Sequence, residues 1–167
     1  MDIRPALTKS QKKYLAGRYF IIFLIVLTVM SCLIASQNGP TFYLISIYSV
    51  FYLYIGYPGS AAAIIISVAV FIVFILSAIL SYKYKIWMRI ALYLLLADTG
   101  FIIYIMIKYS WFLSPFASIG SYTAFIIELV GHVIGIILIG IATANANKAF
   151  RAKKLLNPID LNTQNRP

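Results

Sequence analysis

Acidic residues are scarce in this chain: Asp2, Asp98, Glu128 and Asp160 stand against 14 lysines and arginines, for a formal net charge of +10. Cysteine and histidine occur once each, as Cys32 and His132. A lone cysteine excludes an intrachain disulfide and a cysteine-based zinc site. A lone histidine excludes bis-histidine haem ligation within the chain. Asn-x-Ser/Thr sequons are absent, which removes one cue for a glycosylated surface protein. Also missing are a Ser-His-Asp set, a phosphate-cradling glycine loop and a spaced metal-ligand motif. His132 could act as a general base, but no partner nucleophile stands out, so we expect a protein that is not an enzyme. No cofactor and no metal are expected. Two carboxylates and one imidazole are a thin donor set for a divalent ion.

What is abundant is apolar surface. The chain is 62% hydrophobic and 11% charged, with a mean hydropathy of +0.92. Soluble domains run at about 45–50% apolar and about 25% charged, so this composition belongs to a membrane protein. The length suits one bundle with no second, soluble domain. A strong positive balance would suggest nucleic acid in a soluble protein. Here the basic residues form short blocks flanking apolar runs, where they orient helices and meet anionic lipid. Nucleic-acid binding is not expected.

Four runs are long enough to cross a hydrocarbon layer of ~30 Å at 1.5 Å per residue. They cover about 19–36, 60–82, 86–107 and 120–144. Thr8-Lys9-Ser10-Gln11 fits a capping box, so a helix is expected to start before the first span. Gln37-Asn38-Gly39-Pro40 ends it with turn chemistry. Ser60 after Pro58-Gly59 is a plausible N-cap for the second. Beyond Ala144 the last helix should continue as a basic stub to Asn157-Pro158. Lys9, Lys12, Lys13 and Arg18 before an apolar run resemble the start of a signal peptide, and Val29-Met30-Ser31-Cys32 is loosely like a lipobox. The small-residue cleavage pattern is poor, and we expect an uncleaved anchor.

The segment Thr41–Tyr57 (TFYLISIYSVFYLYIGY) is apolar, short and rich in tyrosine. Counting charges decides how to treat it. With four spans and the N-terminus inside, 13 of the 14 basic residues are cytoplasmic and only Lys108 is outside. If 41–57 also crosses, the split becomes 6 to 8. The positive-inside rule prefers four spans. The tyrosine segment is then an interfacial or re-entrant element between spans 1 and 2, since tyrosine keeps its ring in lipid and its hydroxyl in water. Tyr82, Tyr84 and Trp87 fit the cytoplasmic interface; Tyr109, Trp111 and Tyr122 fit the outer one.

Three ionisable residues lie inside spans. A charge at the bilayer centre costs about 2.5–3.5 kcal/mol even on lenient insertion scales, so such groups face protein and are functional candidates. Asp98 lies 12 residues after Ile86, and His132 lies 12 before Ala144, on antiparallel neighbours. Both are then roughly 18 Å above the cytoplasmic boundary. Glu128 shares a helix face with His132 at i, i+4, one turn further out. Span 4 gains roughly 4–7 kcal/mol from about a dozen strongly apolar residues, and an ionised Glu128 with a polar His132 would consume most of it. Glu128 is therefore expected to be protonated, paired or wetted.

Gly131 and Gly135 form a GxxxG pair on the same stripe, where a neighbouring backbone is expected to approach closely. Ser77 and Ser81 are a small-xxx-small pair on span 2. Lipid-headgroup contacts are expected from Lys12, Lys13, Arg18, Lys83, Lys85, Arg89, Lys148, Arg151, Lys153 and Lys154.

The sequence thus describes an all-α integral membrane protein. Its expected architecture is an antiparallel four-transmembrane-helix bundle with cytoplasmic N- and C-termini. The expected layout is a basic segment over 1–18, a membrane domain over 19–144 and a basic tail over 145–167. Localisation is expected in the cell membrane as a multi-pass protein. The leading functional expectation is an interaction or accessory subunit of a transport, export or respiratory complex, in contact with other membrane subunits or with itself. The alternative is an oligomeric small transporter or channel that uses Asp98, Glu128 and His132 as a proton, ion or solute site.

Overall fold

Apolar runs of this length leave the backbone no partner except itself, because lipid offers neither donors nor acceptors. Helices result. The computed structural model describes residues 4–36, 47, 49–50, 53, 60–108 and 119–156, and all of its long elements are α-helical. They are α1 (Arg4–Ser36), α2 (Ala61–Leu80), α3 (Ile86–Lys108) and α4 (Ile119–Leu156). Each is long and apolar enough to cross a membrane, over Lys9–Ile34, Ala61–Leu80, Ile86–Ile105 and Ile126–Arg151. The chain is therefore a multi-pass helical membrane protein.

The ends have local causes. Ser60, in extended conformation, accepts the amide of Ala63 at 3.3 Å and starts α2. A tight turn over 81–85 joins α2 to α3, too short for anything but an antiparallel hairpin. α4 runs through the basic stub without a break to Leu156.

Around the bundle, α1 packs on α2, α2 on α3, α3 on α4 and α4 on α1, the last being the most extensive contact. α1 and α3 thus lie diagonally opposite. Ile21, Leu24, Phe74, Met88, Leu95 and Ile139 are fully buried between them. Ile65, Val68, Ile72, Tyr93 and Ile137 face outward and exposed. That pattern, apolar both inside and outside, suits a bundle in lipid, where packing geometry and not water exclusion holds helices together.

At the basic end the helices are tied by polar contacts. The Tyr14 hydroxyl donates to the Ser81 carbonyl at 2.7 Å, and its ring meets Phe150 edge-on at 5.5 Å between centroids. Lys85 Nζ donates to Asn147 Oδ1 at 2.8 Å. These contacts put the start of α1, the end of α2, the start of α3 and the end of α4 on one side.

Two glycines set the α1–α4 distance. A Cβ on Gly17 would collide with the Ala142 side chain and press on the Leu138 carbonyl at 3.1 Å. A Cβ on Gly135 would collide with the Phe20 ring and lie 2.9 Å from Leu95 Cδ2. Gly17 thus brings α1 against α4 backbone, while Gly135 makes room for a ring and a leucine. Ser77 and Ser81 are fully buried, with hydroxyls returned to Val73 and Ala78 of their own helix at 2.8 and 3.2 Å.

Gly17→Leu is expected to destabilise the bundle by about 1–3 kcal/mol, because α4 backbone cannot move aside as a side chain would. Gly100→Ala, at a position with nothing within 4 Å, should leave stability unchanged or raise it by up to about 1 kcal/mol. Unfolding in mixed micelles titrated with SDS measures both. Equal effects at the two positions would contradict the packing described.

Candidate functional site

Asp98 on α3 and His132 on α4 meet at mid-bundle. His132 Nε2 lies 2.9 Å from Asp98 Oδ2, and the two side chains are 0% and 2% exposed. His132 Nδ1 lies 3.0 Å from the backbone carbonyl of Glu128 and 3.9 Å from its Oε1. Asp98 Oδ1 accepts the backbone N–H of Ser49 at 2.8 Å. The structure brings all three ionisable residues together, and it adds a fourth partner from the tyrosine-rich segment.

Proton positions follow from the acceptors. The Glu128 carbonyl can only accept, so Nδ1 of His132 carries a proton. One further proton lies between Nε2 and Oδ2. It sits on the ring when Asp98 is a carboxylate, or on Asp98 when the ring is neutral. Either way the Asp98–His132 pair is neutral as a unit, which lowers its cost in a medium with no water to solvate charge.

Most of 41–57 lies outside the described residues, but Ile47, Ser49, Val50 and Leu53 do not. Ile47 is fully buried and Val50 is buried. The amide of Ile47 donates to Thr28 Oγ1 at 2.8 Å, and the amide of Val50 to the Ile47 carbonyl at 3.1 Å. Thr28 Oγ1 in turn donates to the Leu24 carbonyl at 2.7 Å, so one hydroxyl both gives and receives. Ser49, Val50 and Leu53 are helical, while Ile47 is not. The amides at the start of a helix have no partner within it. Here Thr28 from α1 and Asp98 from α3 supply acceptors from opposite corners of the bundle.

Thr28 and Ser49 did not stand out in the sequence. Their signal is weak but real: each is a small polar residue inside an apolar run. The hydroxyls of Ser31, Ser67 and Thr99 also bond to carbonyls three or four residues back on their own helices. Such satisfied hydroxyls conceal the few that act between elements.

The donor geometry argues against a metal. Asp98 and Glu128 address opposite nitrogens of one imidazole, so the three side chains do not converge on a point. Among the described residues no group of three His, Cys, Asp or Glu is arranged to hold an ion. A cavity of about 250 Å³ opens between α1 and α2, bounded by Thr28, Cys32, Val50, Ser67 and Phe71 among others. None of Asp98, Glu128 or His132 lines it. Among the described residues every buried side-chain nitrogen and oxygen has a hydrogen-bond partner.

The basic residues divide. Lys12, Lys13, Lys83, Lys85, Arg89, Lys148 and Arg151 are exposed, and the side chains of Lys153 and Lys154 lie outside the described ones. Arg18 differs: half-buried, it donates Nε to the Ala78 carbonyl at 3.0 Å and stacks its guanidinium 5.2 Å from the centre of the Tyr82 ring.

No protein-family model matches this chain, and neither the curated proteins nor the solved structures include a significant match to it.

Asp98→Ala and His132→Ala should each cost about 3–5 kcal/mol, since each strands a buried partner. The double variant should lose less than the sum, with a coupling of about 0.5–3 kcal/mol. A thermodynamic cycle from reversible unfolding in micelles reads this directly. Strictly additive losses would contradict a paired cluster.

Proposed function

We propose that this chain is an accessory subunit of a membrane complex concerned with transport, export or respiration, and that its intramembrane polar cluster is a clamp. The observation that supports this reading is the commitment of Asp98: one oxygen on the Ser49 amide, the other on His132. Ionisable groups that carry an ion or solute need access to a path. These are turned onto partners of their own chain. A catalytic reading would need a cavity reaching His132 and a nucleophile beside it, and the cavity between α1 and α2 supplies neither.

In this proposal the chain sits in the cell membrane with both ends cytoplasmic, as the 13-to-1 distribution of basic residues favours. Two described residues of the tyrosine-rich segment, Ile47 and Ser49, are held at depth by Thr28 and Asp98, which supports a re-entrant rather than an interfacial placement. The exposed apolar faces of the four helices are then free to meet neighbouring subunits or lipid.

One observation favours a second reading. His132 stands between the Asp98 and Glu128 carboxylates at 2.9 and 3.9 Å, which sets three ionisable groups in a row along about one helical turn. An oligomer of this protein would then be a small transporter or channel.

Purification in native lipid nanodiscs, followed by reconstitution of the chain alone, separates the two. The accessory reading expects co-isolation with a stoichiometric membrane partner and no proton or cation flux from the chain alone in liposomes. Flux by the lone chain that the Asp98→Asn, Glu128→Gln double variant abolishes would refute it in favour of the transporter.

A further inference from the structure

The basic end of the bundle contains a groove that the clamp does not use. Its volume is about 280 Å³, and it is lined by Gln11, Leu15, Arg18, Tyr82, Ala149 and Phe150 over a floor formed by Tyr14. The floor is rigid. The Tyr14 hydroxyl is anchored on the Ser81 carbonyl, and its ring is braced edge-on by Phe150.

Arg18 is the one charged residue in the lining. It is held in place, unlike the exposed lysines around it. Nε is bonded to the Ala78 carbonyl, and the guanidinium lies over Tyr82. Among the described residues the only carboxylates are Asp98 and Glu128, both at mid-depth in the cluster. None of the described residues lining or flanking this groove is acidic, and Lys9, Lys12, Lys13, Lys83 and Lys148 add further positive charge nearby in the fold. A guanidinium fork held in place among basic neighbours is suited to a phosphate, which it can bind through two parallel hydrogen bonds.

The rest of the groove selects among phosphates. Leu15, Ala149 and Phe150 give it an apolar wall, and Arg18 stands where α1 passes from its basic stretch into its apolar run at Tyr19. An occupant that satisfies both parts has an anionic head and a hydrocarbon body. We propose that this groove is a binding site for one anionic glycerophospholipid, with its phosphate on the Arg18 guanidinium and its upper acyl chain against Leu15, Ala149 and Phe150. The proposal needs only that the chain spans a membrane; it holds whether the protein is an accessory subunit or a transporter.

Native mass spectrometry of the full-length protein, titrated with dioleoyl phosphatidylglycerol or with phosphatidylcholine of the same chains, tests this. The wild type should retain phosphatidylglycerol in preference to phosphatidylcholine, with one adduct dominant. Arg18→Gln should weaken that retention by roughly tenfold, as loss of a charge-assisted contact implies. Leu15→Trp narrows the wall from an exposed position without touching Arg18, and should weaken it as well. This variant decides the matter where Arg18→Gln fails to fold. Lys9→Gln, an exposed charge outside the groove, should bind as the wild type does. Equal retention of the two lipids, or wild-type retention in both groove variants, overturns the proposal. Displacement of the lipid by millimolar inorganic phosphate overturns the lipid assignment and leaves a small-anion site.

Discussion

The carboxylate of Asp98 accepts from two donors that arrive from different parts of the chain: the His132 imidazole on α4 and the backbone amide of Ser49. Each contact makes the other tolerable. An aspartate alone at this depth would be costly to insert. Next to His132 it becomes half of a neutral pair, while the amide it accepts is one that a helix beginning near Ser49 cannot satisfy internally. Remove the carboxylate, and His132 Nε2 and the Ser49 amide both lose their partner. This one group ties α3 to α4 and to the Ser49 backbone at once.

The same logic extends along the bundle. Thr28 takes up the Ile47 amide while returning its own proton to Leu24, so α1 contributes an acceptor without exposing a donor. Near the basic end, Gly17 lets α1 lie against the Ala142 stretch of α4, and Tyr14 closes that end on Ser81 and Phe150. Polar contacts are few and buried among apolar ones. In lipid, where apolar burial gives little preference for one helix arrangement over another, such contacts together with close-fitting small residues choose the arrangement.

How much of this was legible beforehand depended on periodicity and reach. Four spans could be read because a run of 18–25 apolar residues has one structural solution in a membrane. Asp98 and His132 could be placed at one depth because each lies 12 residues from a boundary on adjacent helices, and a helix converts residue count into height. The Ser49 and Ile47 contacts could not be read. They are made by backbone amides, which every residue but proline carries, so side-chain chemistry does not mark them. Gly135 drew attention through its GxxxG spacing, and it accommodates the side chains of Phe20 and Leu95; Gly17, which lies against α4 backbone, has no partner glycine four residues away to mark it. Arg18 reads in sequence as one more membrane-edge cation. Only the positions of the Ala78 carbonyl and the Tyr82 ring set it apart.

The central claim is that Thr28 and Asp98 hold Ile47 and Ser49 inside the bundle by their amides. Hydrogen exchange at individual amides, followed by NMR on protein in nanodiscs, tests it most directly. The account predicts slow exchange at Ile47 and Ser49 in the wild type. It predicts that Asp98→Ala selectively accelerates Ser49 and Thr28→Val selectively accelerates Ile47, while amides in the middle of α2 stay protected. Rapid exchange of both amides in the wild type, or protection at Ser49 that survives the loss of Asp98, would contradict it.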